Sequence, residues 1–238
     1  MPETIKDQLS AFLQWYNDLY GKEWYVENSE ALLKLLAESG QKKSTASTPV
    51  GGNTPLLKFK SEIENCQKCS LHKTRTNFVF GDGNGNADIM FIGEAPGRDE
   101  DLQGLPFVGR SGQLLNKLLA NFQLKREDVY IANILKSRPP NNRDPLPEEV
   151  EACIPYLHRQ IELIQPRILV ALGRVAAQNL LNTTESLTRM RKKVWSYRNI
   201  PMIVTFHPAY VLRNMNAMND AIDDMRFVVE YYGRLVGN

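Results

Sequence analysis

An uninterrupted apolar run cut off by a glycine-rich turn constrains this chain more than any other feature. Ile89, Met90, Phe91 and Ile92 carry no polar residue between them, which is the pattern of a strand buried on both faces of a parallel sheet and not of a one-sided, alternating strand. The turn Gly93-Glu94-Ala95-Pro96-Gly97 ends the run, and helical periodicity resumes in SGQLLNKLLANF. Three more apolar runs follow, VYIANI, RILVALG and PMIVTF, separated by helical patterns in PEEVEACIPYLHRQIELI and VAAQNLL and followed by a last helix from about Ala217 to Leu235. Strand-helix alternation of this kind implies right-handed crossovers and covered faces. The expected fold is α/β, a three-layer sandwich with a central, mainly parallel four-stranded sheet flanked by helices.

Parallel strands bring their carboxyl ends to one rim, where ligands of open α/β sheets bind. On that rim the sequence places Glu94, Asn133, Gly173 and His207, with Gly93 and Gly97 removing side chains that would keep a ligand from the backbone. Any one of these polar residues alone reads as a solvated or internally satisfied side chain, whereas their convergence makes a polar site. Phe107, in LPFVGRSG, is either core or a stacking platform for a flat ligand. The loop KSRPPNNRDP, residues 136–145, is stiffened by proline and carries Lys136, Arg138 and Arg143. It reads either as a solvated basic loop or as a set of phosphate contacts. GDGNGN, residues 81–86, precedes its strand where a dinucleotide fingerprint follows one, and it lacks the glycine and glutamate of a calcium loop, so it reads as a turn.

Upstream, residues 5–38 have helical spacing (Leu9, Phe12, Leu13, Tyr16, Leu19 and Tyr20, then ALLKLLAE), which predicts two helices. Residues 41–55 shift to Lys, Ser, Thr, Gly and Pro without periodicity. The expected organisation is a helical N-terminal extension at 1–40, a flexible linker at 41–56 and a catalytic domain at 57–238, begun by a short helix in LLKFKSEIE. A net charge of +2 restricts any nucleic-acid binding to a local patch. No apolar run approaches the roughly 18 residues of a membrane span, and MPETIKDQLS lacks the regions of a signal peptide, so an intracellular, cytoplasmic protein is expected. Three cysteines, an odd number, argue against a disulfide framework. Cys66-x-x-Cys69 is a spacing shared by redox pairs, zinc sites and iron-sulfur clusters.

Four ordered motifs, GEAPG at 93–97, PFVGRSGQLL at 106–115, NILKSRPPNNRDP at 133–145 and HPAYVLR at 207–213, resemble the iron-sulfur, family four branch of the uracil-DNA glycosylases. The resemblance runs from Lys58 to about Glu230 and leaves the N-terminal extension outside it. It implies hydrolysis of the glycosidic bond of deoxyuridine in DNA, leaving an abasic site, after the base has been extruded into a pocket that reads its Watson-Crick edge. By resemblance, Gly93, Ala95, Phe107 and Asn133 form the uracil pocket, with Phe107 stacking on the base and the Asn133 amide pairing with O4 and N3–H. An amide can donate to O4 and accept from N3–H, while cytosine presents the reverse pattern and leaves buried groups unpaired. His207 is placed to donate to uracil O2 as negative charge develops there, and Glu94 to orient or activate the attacking water. Arg138, Arg143 and Arg213 are read as phosphate contacts, and Val211 and Leu212 as a wedge into the gap left by the base.

The family completes its CxxC with two later cysteines, and this chain has Ser137 at the first of those positions and Cys153 at the second. The expected cofactor is a 4Fe-4S cluster on Cys66, Cys69 and Cys153, with Ser137 or solvent at the fourth iron. A zinc site of Cys66, Cys69, His72 and Cys153, or a packed and empty trio, is the alternative. No inserted basic segment of the kind found in covalently trapping relatives lies between Ser137 and Cys153. The implied partner is uracil-containing DNA, acted on by a monomer without membrane association. A catalytically silent DNA-binding module of the same fold, recruited through its N-terminal extension, is the second functional class, and an intact Glu94, Asn133 and His207 argues against it. A small-molecule hydrolase leaves the arginine-rich loop without purpose.

Overall fold

The computed structural model describes residues 54–237. The helices read from residues 5–38, and the linker up to residue 53, lie outside the described residues. The first helix among the described residues, α1 (Thr54–Ile63), takes in the last three residues of the expected linker, with Pro55 in its first turn, where a missing N–H costs nothing. It is followed by β1 (Asp82–Gly83), β2 (Ile89–Gly93), α2 (Arg98–Gln103), α3 (Arg110–Asn121), β3 (Tyr130–Asn133), α4 (Pro147–Ile164), β4 (Ile168–Leu172) and α5 (Arg174–Leu181). The chain then forms α6 (Leu187–Met190), β5 (Val194–Tyr197), β6 (Ile200–Thr205), α7 (Pro208–Arg213) and α8 (Met218–Val236). No helix among the described residues is long and apolar enough to cross a membrane.

The sheet has six strands in the order β1-β3-β2-β4-β6-β5. Its four inner strands are the parallel ones expected, paired β3–β2, β2–β4 and β4–β6. Every residue of β2, β3 and β4 is buried, so both faces of the central sheet are covered, as the unbroken apolar runs require. Two antiparallel edge strands go beyond the expected four. The strand β1 is only two residues of the GDGNGN turn pairing with Tyr130 and Ile131, and β5 forms a hairpin with β6. That hairpin turns through Arg198 and Asn199, both at positive φ (50° and 66°), the handedness that matches strand twist in a two-residue turn.

The connection from β2 leads outward to β3, and the next leads back across β2 to β4, so the strand order reverses between β2 and β4. Their carboxyl ends therefore splay into a crevice, and Gly93–Glu94 and Gly173 sit at its base. On the far side, the end of β6 is fixed by a buried ion pair. Asp224 of α8 accepts from Nε and Nη2 of Arg191 and from Oγ1 of Thr205, the last residue of β6 (2.9 Å). The Arg191 guanidinium also lies 4.0 Å over the Phe206 ring. This network anchors the two residues that precede His207.

The side chains of Arg191 and Asp224 are 6% and 0% exposed; Arg191 also meets Asp220 Oδ1 at 3.1 Å, so it is removal of the arginine that leaves an uncompensated charge, the Asp224 carboxylate, in the interior. Arg191→Met is expected to cost about 3–5 kcal/mol, a loss in Tm of about 6–20 °C. Replacing the pair together, Arg191→Met with Asp224→Leu, is expected to recover most of it in thermal unfolding.

Candidate active site

A cavity of about 360 Å³ opens at the carboxyl rim and is lined by Glu94, Ala95, Phe107, Asn133, His207 and Arg213, among others. Gly93 and Asn133 are register partners at the last step of the β2–β3 pairing. A Cβ on Gly93 would stand 2.4 Å from Asn133 Oδ1 and 2.6 Å from Phe107 Cζ, so only glycine lets the amide and the ring meet over the strand end. Asn133 is 2% exposed, and its Oδ1 is buried without a hydrogen-bond partner. An orphaned acceptor of this kind costs about 1–3 kcal/mol, a cost that a ligand N–H offsets.

Phe107 is held in a left-handed backbone conformation, φ 51°, unusual for a bulky residue. Four contacts over-determine it. Glu100 Oε1 accepts from the N–H groups of Val108 and Gly109, both at 3.0 Å, while Arg126 donates to the carbonyls of Pro106 and Phe107. Gly112 passes directly beneath, since a Cβ there would lie 1.8 Å from the Phe107 carbonyl oxygen. Strain maintained by converging contacts is a mark of functional loops. Glu100 Oε2 reaches back to the Gly97 N–H at 3.1 Å, but glycine has no side chain to complete a capping box, so the sequence marks neither Glu100 nor Arg126 by a local signal.

His207 caps α7, and its Nδ1 accepts from the Ala209 N–H at 3.1 Å, which assigns the proton of the neutral ring to Nε2. Its ring lies 5.5 Å from that of Phe107. Burial, reinforced by the Arg213 charge, pushes the imidazole down to about 4, so it is neutral at physiological pH. Gly173, at φ 92°, allows the β4 end to approach, as a Cβ there would lie 2.8 Å from His207 Cβ. Glu94 moves the opposite way, up to about 7, because of burial first and Asp144 second, with Arg174 opposing them. Two titratable groups in one pocket are thus pushed apart: a neutral donor and a carboxylate poised to take a proton.

The basic loop is built differently from the expectation. Lys136, read as a phosphate contact, is completely buried and cannot reach a phosphate. Its Nζ donates to the Asn133 carbonyl (2.8 Å) and to Gln160 Oε1 (2.6 Å). Arg143 lines the cavity, but its terminal nitrogens grip Glu149 at 2.8 and 2.6 Å, so it first secures the loop to the start of α4. Arg138 is half-buried and bonds Asn142 through Nε (2.7 Å), while Arg213 is exposed. Val211 is not a wedge. It is 0% exposed, because one side of the six-residue α7 packs into the core, and Leu212 beside it is only half-buried.

The three thiols gather behind this loop. Cys66 and Cys69 pack against the core that holds Cys153, and burial pushes the Cys153 thiol up to about 11, with both other cysteines adding to the shift and Lys136 opposing it. Cys66 Sγ accepts from Tyr156 Oη at 3.1 Å and from the Lys68 N–H at 3.4 Å, and Cys153 Sγ accepts from the Lys136 N–H at 3.2 Å. Donors thus reach two of the three sulfurs, those of Cys66 and Cys153, contacts of the kind that surround metal-bound thiolates. Ser137 Oγ accepts from Arg75 Nη1 at 3.1 Å. Among the described residues no three His, Cys, Asp or Glu side chains are grouped closely enough to hold a metal ion, which applies alike to the cysteine trio and to the zinc set with His72. His72 Nδ1 instead lies 2.7 Å from the Cys69 carbonyl oxygen.

Residues 80–228 match the Uracil DNA glycosylase superfamily. A Type-4 uracil-DNA glycosylase of Archaeoglobus fulgidus is 49% identical over 181 residues, covering 73% of this chain and 91% of the relative. Type-4 enzymes of Sulfurisphaera tokodaii (44% over 184 residues, 74% of this chain and 84% of the relative) and Thermotoga maritima (46% over 162 residues, 67% and 84%) are also similar. With this extent of identity across the strands and loops that form the rim, the chain belongs to the uracil-DNA glycosylase superfamily.

Proposed function

We propose that this chain is a uracil-DNA glycosylase that hydrolyses the N-glycosidic bond of deoxyuridine in DNA, releasing uracil and leaving an abasic site. The observation that carries the reading is the buried, unpartnered Asn133 amide oxygen pressed against Phe107. A uracil lying on the Phe107 ring offers N3–H to that oxygen and O4 to the amide N–H, whereas cytosine presents an unprotonated N3 and an amino group to the same positions. Arg138 and Arg213 meet the phosphates that flank the extruded nucleotide.

As the C1′–N1 bond breaks, its electron pair passes into the uracil ring and charge appears on O2. His207, neutral and protonated on Nε2, donates a hydrogen bond to that oxygen without giving up its proton. Glu94 as carboxylate stabilises the cationic sugar and takes a proton from the water whose oxygen bonds to C1′. We infer that Cys66, Cys69 and Cys153 hold a 4Fe-4S cluster. When bound it would tie the segment before the sheet to α4, whose Cys153 meets the Lys136 N–H at the start of the loop carrying Arg138, and it would supply no chemistry to bond cleavage.

Excision of uracil from single-stranded and U:G oligonucleotides, read as alkali-labile cleavage without added divalent metal, tests the assignment. His207→Ala is expected to lower kcat by about 100–1000-fold with DNA affinity nearly unchanged. Intact DNA binding with no excision in the wild type would establish the silent-module reading instead.

The Glu94 pKa sets two pH dependences. Activity is expected to rise with pH through about 7 as the carboxylate forms, and this acid limb is expected to vanish in Glu94→Gln. For stability the sign is reversed. The folded state holds a proton on Glu94 that the unfolded state releases from 4.5 upward, so stability falls between pH 4.5 and about 7. Glu94→Gln is therefore expected to be more stable than wild type at pH 8, by about 1 kcal/mol after discounting for the open side of the pocket, or about 2–4 °C in Tm, and not at pH 4.

Serine keeps its proton at neutral pH, and Arg75 already occupies the Ser137 oxygen, so the fourth iron is held more weakly than the other three. Anaerobically purified protein is expected to contain iron and acid-labile sulfide that are lost in air, and Ser137→Cys is expected to retain them longer. Protein from iron-replete cells containing zinc and no sulfide would refute the cluster and leave the catalytic reading intact.

A further inference from the structure

We propose that Lys136 is a positioning residue for base recognition, holding Asn133 in the orientation that reads uracil and coupling it to the cysteine-bearing face of α4. The inference rests on the glycosylase reading for the identity of the base, but not for the geometry.

In β3 the Ile134 N–H bonds the Gly93 carbonyl of β2 at 3.0 Å. Alternation along the strand therefore turns the N–H and C=O of Asn133 to the opposite edge. The strand on that edge, β1, pairs only with Tyr130 and Ile131. The Asn133 carbonyl consequently has no ladder partner, although the residue is 2% exposed. Lys136 supplies the missing donor from three residues downstream, Nζ to O at 2.8 Å. Its side chain is 0% exposed, and its other bond is to the neutral Gln160 Oε1 and not to a carboxylate. A donor confined in this way, shielded from solvent and with no carboxylate competing for it, keeps its bond on the carbonyl, which would otherwise be a buried acceptor without a partner. What it fixes is the peptide following Asn133, and thereby the backbone angle that aims the amide into the cavity.

Lys136 is held twice by one helix face. Its own N–H donates to Cys153 Sγ, and its Nζ donates to Gln160. Residues 153 and 160 lie two turns apart on α4, hence on the same side. Gln160 in turn donates to the Phe80 carbonyl (2.9 Å) and to Tyr130 Oη (3.3 Å), which anchors the helix to the other end of β3. Any shift of α4 at the thiols is thus carried to the Asn133 carbonyl through one side chain.

The test is made on the ¹⁵N-labelled full-length chain, in which the Asn133 side-chain amide pair is identified by its loss in Asn133→Ala. In Lys136→Met, an apolar replacement of similar length, that pair is expected to shift and broaden. Free uracil is expected to bind about tenfold more weakly, and the preference for uracil over cytosine to fall by about as much, with affinity for abasic DNA unchanged. Lys136→Gln, which keeps an N–H donor on a shorter stem, is expected to recover part of the uracil affinity. An unmoved Asn133 pair and wild-type uracil affinity, even with a lowered Tm, would overturn the proposal and leave Lys136 a structural residue. A displaced pair in a protein whose wild type neither binds nor excises uracil would uphold the positioning role while defeating the glycosylase reading.

Discussion

At the end of two parallel strands, Gly93 is paired with Asn133, and everything in the pocket is arranged around the space that the missing side chain leaves. The ring of Phe107 and the amide of Asn133 occupy that space together, so a polar group that burial ordinarily forces into a hydrogen bond is left facing a cavity. The arrangement is rigid because β2 is one of the two central strands of the parallel core, buried along its whole length. A reversal of strand order beside it opens the crevice without any deformation of the sheet.

Buried carboxylates hold the loops around that crevice. Glu100 satisfies three backbone N–H groups, those of Gly97, Val108 and Gly109. Asp101 accepts from Thr76 and Asn77, fastening the cysteine-bearing segment to α2. Glu149 takes both terminal nitrogens of Arg143 and the Leu146 N–H, closing the proline-rich loop onto α4. Carboxylates suit this task because each accepts several N–H groups at once, and charge-assisted bonds are roughly twice as strong as neutral ones. The strained φ of Phe107 persists on the strength of such bonds.

The titratable residues of the interior divide by whether they are paired. Arg191 and Asp224 neutralise each other and serve the fold. Glu94 and His207 share the cavity with neighbours that do not neutralise them, and burial drives both toward their uncharged forms, in opposite directions on the pH scale. That separation suits the hydrolysis proposed here, which requires a hydrogen-bond donor that does not protonate and a base that accepts a proton near neutrality.

Local patterns in the sequence sufficed for the four parallel strands, their common rim and the placement of Glu94, Asn133 and His207 on it, whereas Phe107 read equally as core and entered the pocket only through the family resemblance. A strand buried on both faces has to be continuously apolar, and parallel crossovers have only one hand. Edge strands β1 and β5 escaped because the first is two residues of a turn and the second packs one half-exposed face. Side-chain direction on short elements escaped as well, as Val211 and Lys136 demonstrate. A six-residue helix has no periodicity long enough to tell its buried side, and a lysine beside two arginines resembles them until a carbonyl without a strand partner is found next to it. Contacts between residues distant in sequence, such as Arg126 with the Phe107 loop or Gln160 with Phe80, leave no local trace. They were decided by the tertiary structure, because the need for each arises only when folding has buried the polar backbone groups that these side chains satisfy.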